Sequence, residues 1–566
     1  MNKTIFNVFG IPELHEQICH HLTPHDFAAC VQVNKTFCGL FLPLLWHTVN
    51  LVPSIEHAST DHFILTSEFL GRTATARNGH LIRSFTTEDP SLIVALPETC
   101  TNLYRLCIGD RVQLDRSVSV RPSVTLEAMA AMGRNPGVTR FRMDTIDGDI
   151  TEFMNTVVRS FPILESLTIG LKDGQLAHLV KPGGFLDNCQ TTLRKLTLTF
   201  YTDRSDFDDD DVETSDEFIS LTACQQSLST TCIKTLKLES CRTLNSSSLF
   251  ELVKRLPCLE TLRLDNQTFD TPLLLAETLA RSCPQLVHLD FFESSCYDDR
   301  LIALLLGASA GWKTIRAPYS VRISPECFKV LLDHSASTLE NFVYESDYTL
   351  CETEVHQLLT RFENLQTCAL DLWCDAALMI QPPTWACAKS LVSLRIVING
   401  IPRPDIKENH NKRPLGEEPL HRGDSMEKSR KLQRSLYARL GTLTQLECLT
   451  LGTDFSEHHW GDNREGGYSN DIGVAVNGYQ YECLEFTLES GLGEMGGLKN
   501  LIKLDLTRMS TRIRVIELEW MIKNWPRLET IIDLFPQGDT RDPEVEAWLK
   551  DNGRVDLHVS STDHRC

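Results

Sequence analysis

An apolar residue, two variable ones, apolar, variable, apolar: this phrase appears at Leu259-Leu262-Leu264, Leu286-Leu289-Phe291, Trp312-Ile315-Ala317, Leu339-Phe342-Tyr344, Leu365-Cys368-Leu370 and Leu391-Leu394-Ile396, returning every 26 or 27 residues. The alternation at the end of each copy predicts a short half-buried strand. One unit shows the whole grammar. Leu236-Lys237-Leu238 reads as strand, Glu239 to Asn245 as a turn, and Leu249, Leu252, Val253 and Leu256 fall at helical spacing. Pro257 then closes the helix, because the residue before proline avoids the α region, and Leu259 opens the next strand. The same helix-proline-strand punctuation stands at Phe161-Pro162, Cys283-Pro284 and Trp525-Pro526. Earlier copies read Ile82-Phe85, Val138-Phe141-Met143, Leu164-Leu167-Ile169 and Leu193-Leu196-Leu198, and later ones Tyr481-Leu484-Phe486, Leu501-Leu504-Leu506 and Leu528-Ile531.

A period between 20 and 29 residues with L-x-x-L-x-L at its heart marks a leucine-rich-repeat solenoid. The expected fold is α/β: a curved horseshoe with parallel strands on the concave face and helices outside, preceded by a small all-α module. Cys241, three residues beyond a strand, makes the unit resemble the cysteine-containing class of these repeats. Breaks in the period predict insertions. Residues 203–217 carry nine acidic residues and one arginine, a self-repelling block that reads as a solvated loop. Between Leu391 and Leu446 the gap is 55 residues, and the polar run near 401–430 reads as one repeat plus a disordered insertion. A third polar, glycine-rich loop spans about 453–478. The expected domains are therefore 1–50, a helical linker over 51–80, repeats over 81–535 and a C-terminal tail over 536–566.

The first fifty residues lack the phrase and read as three short helices. Leu14, Ile18 and Leu22 share one face after Pro12. Thr23-Pro24-His25-Asp26 restarts a helix, with Thr23 as N-cap, Pro24 in the first turn and a carboxylate near the positive helix end. Phe27, Cys30 and Val31 follow; a third helix from Asn34-Lys35 presents Phe37, Leu40 and Phe41 before Pro43, and Leu45-Trp46 closes the unit. Such helices cap the open end of a solenoid, as repeat proteins require. Yet a bundle of some 40 residues holds more large apolar side chains here than it readily buries, and the surplus points to a partner.

Composition narrows the partner. The 566-residue chain carries a formal net charge of −21, which argues against a general nucleic-acid binder. No run of 18 apolar residues suggests a membrane span, and the N-terminus does not read as a signal peptide. Twenty cysteines without a C-x-x-C pair read as reduced, buried thiols of a cytoplasmic or nuclear protein. Gly491-Leu492-Gly493-Glu494-Met495-Gly496 spells a dinucleotide fingerprint but falls between repeat strands, so it reads as a turn. His15, His20, His21 and His25 lack partners at zinc-like spacing. No catalytic residue, metal ligand or cofactor site is nominated, and an enzyme with a composite site would need a deep pocket that sequence does not reveal.

Ile11-Pro12-Glu13-Leu14, Ile18, Leu22, Asp26-Phe27, Cys30 to Phe37 and Leu45-Trp46 together resemble an F-box, with Phe27 and Phe37 in place of the usual leucine and tryptophan. The pairing with leucine-rich repeats, together with Asn78-Gly79-His80-Leu81-Ile82-Arg83-Ser84-Phe85 and Ile516-Glu517-Leu518-Glu519-Trp520-Met521, is similar to fungal F-box/leucine-rich-repeat proteins. That resemblance implies docking on the adaptor Skp1 of a cullin-RING ubiquitin ligase through Pro12, Leu14, Ile18, Leu22, Phe27, Val31, Phe37, Leu45 and Trp46, with the repeats choosing a protein substrate. A repeat scaffold outside any ligase is the alternative.

Substrate contacts are sought where the strand side chains point away from the core. The residue between the last two apolar positions does so, and that row reads Thr168, Thr197, Lys237, Arg263, Asp290, Arg316, Val343, Ala369, Arg395, Thr450 and Asp505. Lys237, Arg263, Arg316 and Arg395 are either charged for solubility or a basic strip for an acidic or phosphorylated segment.

Overall fold

The computed structural model describes residues 17–51, 77–87, 93, 99–109, 133–144, 150–201, 231–239, 246–265, 272–292, 298–344, 350–402, 426–452, 483–534, 543–551 and 558–560, with short breaks inside the longer spans. The chain falls into two compact units, residues 1–271 with 281–285, and residues 272–280 with 286–566.

In the first unit, helices α1 (Pro24–Val33) and α2 (Lys35–His47) precede a parallel ladder of eight strands. These are β1 (Thr48–Leu51), β2 (Ser84–Thr87), β3 (Arg105–Ile108), β4 (Arg140–Met143), β5 (Ser166–Lys172), β6 (Lys195–Tyr201), β7 (Thr235–Glu239) and β8 (Thr261–Asp265), each paired with the next. In the second unit nine parallel strands follow: β9 (His288–Phe292), β10 (Thr314–Ala317), β11 (Asn341–Tyr344), β12 (Thr367–Asp375), β13 (Ser393–Asn399), β14 (Cys448–Thr450), β15 (Lys503–Asp505), β16 (Thr530–Ile532) and β17 (His558–Ser560). Helices such as Ile150–Ser160, Ser246–Lys254, Pro325–Ser335 and Glu352–Arg361 connect successive strands. Strand, helix, parallel strand at a repeated period makes each unit a leucine-rich-repeat α/β solenoid.

Two features fix the register. The apolar positions of the phrase are buried at every rung, from Leu167, Leu196 and Leu236 in the first unit to Phe342, Cys368, Leu394 and Leu449 in the second. Just before most of the described strands, one carbonyl accepts two N–H groups of the next rung. Thr139 O accepts from Glu165 N and Ser166 N at 2.8 and 3.0 Å, and Glu340 O from Gln366 N and Thr367 N at 2.7 and 3.0 Å. Each rung thus templates the next, and a slip by one residue would turn the leucines outward.

The ladder is longer than the sequence predicts. β1 lies at the end of the span assigned to the N-terminal helical module, pairing Val49 with Phe85, and β17 lies within the assigned C-terminal tail, pairing Val559 with Ile531. Neither strand carries the full phrase, because an outermost strand pairs on one side only and needs fewer apolar positions. Of the 51–80 linker, residue 51, which ends β1, and residues 77–80, which are helical, are described. Helix α2 also continues through Pro43 to His47, where an end was expected; the apolar face completed by buried Trp46 outweighs the cost of an interior proline.

A third correction concerns Tyr481-Leu484-Phe486. β14 pairs directly with β15, so this copy of the phrase supplies no rung among the described residues. Its backbone is claimed by the helix Met426–Gly441 instead. Gln433 Oε1 accepts from Glu485 N at 3.0 Å, and the Tyr437 hydroxyl accepts from Phe486 N at 2.8 Å. Phe486 itself sits at φ 57°, a left-handed conformation that a strand cannot contain. That helix occupies residues 426–441, overlapping the end of the span read as a polar insertion, and β13 pairs directly with β14; residues 403–425 lie outside the described residues. The insertions near 203–217 and 453–478, together with Cys241, lie outside the described residues.

Glu517 closes this region. Fully buried, it accepts from the Arg514 guanidinium at 3.0 and 3.1 Å and from Leu488 N at 3.2 Å. Burial pushes its carboxyl pKa up, but the Arg514 guanidinium and the backbone N–H groups outweigh burial and hold it below the ordinary carboxylate value. A depressed folded-state pKa contributes stability above the unfolded value, about 4.3, and that stability is lost as pH falls through the folded one. Glu517→Gln is expected to cost about 1–3 kcal/mol at neutral pH and to flatten the acid limb of a urea-midpoint profile below about pH 4. An unchanged acid limb would show that Glu517 does not govern it.

Candidate functional site

Two surfaces carry the residues singled out from sequence. The first is the N-terminal helix pair. Thr23 Oγ1 accepts from Asp26 N at 3.3 Å, and Asp26 Oδ2 accepts from Thr23 N at 2.9 Å. This reciprocal cap fixes the start of α1 and, with the Thr23 hydroxyl, holds the Asp26 carboxyl below its usual range. Asn34 ends α1 and caps α2, its Oδ1 accepting from Thr36 N and Phe37 N at 2.9 Å each. The sharp junction folds the helices together around Phe41, whose ring lies 6.0 Å from Phe27 and 5.5 Å from Phe37.

Burial within this pair is lopsided. Phe41 and Trp46 of α2 are buried, whereas α1 buries no residue at all. Ile18, Leu22, Phe27, Val31, Phe37 and Leu45 are each half-buried, and Val33 is 63% exposed. Pro12 and Leu14 lie outside the described residues. Trp46 therefore belongs to the interior that holds α2, not to an outer face. Phe41, absent from the expected contact set, is the hub; its spacing of four from Phe37 was the available signal. Just past α2, Arg83 N donates to His47 O at 3.0 Å, so the helix pair runs without a linker into the first rung.

The second surface is the row of outward strand positions. Within the first unit the register aligns Arg142, Thr168, Thr197, Lys237 and Arg263 on successive strands. Within the second it aligns Asp290, Arg316, Val343, Ala369, Arg395, Thr450 and Asp505. The alternation expected for the row is thus present in both units. Its charge is less uniform than four basic residues suggested. Lys237 pairs with Glu239, whose carboxyl burial would raise but Lys237 and Thr199 hold low. Arg316 is exposed but stands beside Asp290, and two apolar positions separate it from Arg395. Sequence reading missed Arg105, Arg140, Arg142 and Lys195. Arg142 continues the same row one strand earlier; side chains alternate, so the residue two before each row position lies on that face too, and this second row, with Arg105, Arg140 and Lys195, was the overlooked signal.

Other sequence features are structural. Gly491 of the glycine-rich motif sits at φ 109°, and a Cβ there would stand 2.8 Å from the Arg434 Cα. The glycine lets the short 3-10 helix Leu492–Gly497 lie against the helix Met426–Gly441. Burial pushes the Cys283 thiol up to about 12, and its Sγ donates to Leu256 O at 3.4 Å, as a packed thiol would. Among the described residues no His, Cys, Asp and Glu cluster could hold a metal ion, and no helix is long and apolar enough to cross a membrane.

No protein-family model matches the chain, and no curated protein matches its sequence. Among solved structures it is similar to a chain of the Rad7 and Elc1 complex of yeast, at 11% identity and a TM-score of 0.33, covering 84% of this chain and 85% of that one. It is similar also to the leucine-rich repeat-containing protein LegL7 of Legionella pneumophila (12% identity, TM-score 0.29, 69% and 96% covered) and to an internalin of Listeria monocytogenes (13% identity, TM-score 0.28, 91% and 95% covered). Likenesses this distant carry no functional argument, and the solenoid is read from the ladder itself.

The two kinds of apolar residue in the helix pair are separable. Trp46→Ala is expected to destabilise the N-terminal end by about 3–5 kcal/mol, whereas Leu22→Asp should cost under about 1 kcal/mol. Hydrogen exchange of α2 and β1 amides distinguishes them; equal loss of protection in both variants would contradict the assignment of Leu22 to an outer face.

Proposed function

We propose that this chain is the substrate-recognition adaptor of a Skp1-cullin-F-box type ubiquitin ligase, binding Skp1 through the N-terminal helices and a protein client through the strand face of the repeats. The observation that carries the reading is the burial asymmetry of α1 and α2. A capped, well-formed helix that buries none of its own residues leaves Phe27, Val31 and exposed Val33 with apolar surface to cover, and half-buried Leu22 just ahead of its cap adds to it. A stretch resembling the F-box motif occupies these same helices, so the expected cover is Skp1. On this reading the chain performs no covalent chemistry. It raises the local concentration of a client lysine near a charged conjugating enzyme, and it works in the cytoplasm or nucleus.

A second reading has its own support. α2 passes directly into β1, so the helix pair also covers the start of the ladder, as a cap on a scaffold unconnected to any ligase would. Capture of purified Skp1 by the purified chain separates the two. The adaptor reading expects stoichiometric capture, lost by at least tenfold in Leu22→Asp/Val31→Asp while the variant's unfolding midpoint is retained. Absence of Skp1 capture by the unsubstituted, folded chain would defeat it and leave the scaffold reading.

A further inference from the structure

The ladder of the first unit aligns two rows of alternate strand positions, in which Ser84, Thr86, Cys107 and Thr197 are buried and the basic residues are exposed or half-buried. One passes through Ser84, Arg105, Arg140, Ser166, Lys195, Thr235 and Thr261, and the other through Thr86, Cys107, Arg142, Thr168, Thr197, Lys237 and Arg263. Six of these fourteen positions are basic and none is acidic. The chain as a whole carries −21, so this face runs against the composition of the protein. Among the described residues acidic side chains return one row further on, at Asp144 and Glu239, where Asp144 Oδ1 accepts from Arg142 Nε at 2.5 Å and Glu239 pairs with Lys237. Arg140 and Lys195 are exposed, Arg105 and Arg263 are half-buried, and the Arg142 side chain is 42% exposed.

Placement sharpens the argument. Arg105 and Arg140 are direct register partners, as are Lys237 and Arg263. Like charges side by side on neighbouring strands destabilise a sheet, and threonine or serine, which fills most other positions of the rows, would avoid that cost. The equivalent rows of the second unit follow the milder pattern. They hold Arg316, Arg395 and Lys503 against Asp290 and Asp505, with Thr314, Thr367, Ser393 and Thr530 between them. Solubility alone does not require the contrast.

We propose that the strand face of the first unit binds an extended, doubly phosphorylated polypeptide segment, one phosphate at Arg105, Arg140 and Arg142 and the other at Lys237 and Arg263, with Lys195 between. Strands lie about 4.8 Å apart, so the four spacings between the midpoint of β3 and β4 and that of β7 and β8 separate the two anionic centres by about 19 Å. An extended chain rises about 3.3 Å per residue, which places the two phosphates about six residues apart. Guanidinium forks match phosphate oxygens bidentately, and arginine supplies three of the five anchoring side chains on the β3–β4 side and one on the other. This deepens the adaptor reading by naming the chemical class of its client, and it moves the site from the four-residue strip expected from sequence to the first unit alone.

The test is fluorescence anisotropy of the full chain with a labelled peptide of about ten residues bearing two phosphoserines about six apart, at about 0.15 M salt, where distant surface charges are screened. The expected result is saturable binding, at least tenfold weaker for the serine counterpart. Arg140→Glu/Lys195→Glu should weaken it at least tenfold and Arg316→Glu/Arg395→Glu less than twofold, with unchanged melting curves. Should the reversals unfold the chain, Arg140→Gln/Lys195→Gln is read instead, with at least a threefold loss expected. The proposal is overturned by equal losses in the two double variants, by indifference to phosphate, or by equally tight binding of a single-stranded oligonucleotide of the same charge. Skp1 capture reads only the N-terminal helices, so either result can fail without the other.

Discussion

The described structure rests on the parallel ladder and on the doubled hydrogen bond that starts most of its rungs. One carbonyl accepting two N–H groups from the next strand leaves no freedom to slip. Burial of the same two or three apolar positions at most steps reinforces it, because a one-residue shift would exchange leucines for polar and basic residues along the face. Equivalent positions therefore line up across many strands. A charge repeated at one position becomes a surface, and a single departure in the pattern becomes a local event instead of a failure of the fold.

The ends and the interruption near residue 485 show how the ladder tolerates departures. At the N-terminus a proline-containing helix feeds directly into β1, held by the buried Phe41 and Trp46. Near Glu485 the chain abandons the strand conformation, yet its amides are satisfied by Gln433, Tyr437 and Glu517 side chains rather than left unpaired. Buried backbone groups must find partners. A polar helix supplies them here, which explains why Ser429 and Gln433 are buried on a helix otherwise rich in exposed Lys and Arg.

The two surfaces described on this framework have different physical characters. The helix pair offers apolar side chains that its own small interior cannot cover, and the strand face of the first unit offers cations set side by side at some cost in stability. Each is the sort of feature that folding alone does not call for. One favours a rigid apolar partner and the other an extended anionic chain, and they draw on separate residues.

Much of this was legible in the sequence because strands and helices have fixed periods. The phrase Leu259-Leu262-Leu264 and its copies determined the repeat, the buried face and the outward row through Lys237, Arg263, Arg316 and Arg395; Thr23-Pro24-Asp26 and Asn34 determined where the helices begin. These are local matters, set by neighbours in the chain. What needed tertiary structure was pairing. Val49 and Val559 join the ladder without the phrase, while Leu484 and Phe486 carry it and supply no rung. Arg105 meets Arg140, and Arg316 meets Asp290, across strands far apart in sequence. A periodic sequence determines which face a residue occupies, but only the folded register decides which charges become neighbours, and electrostatics depends on that separation.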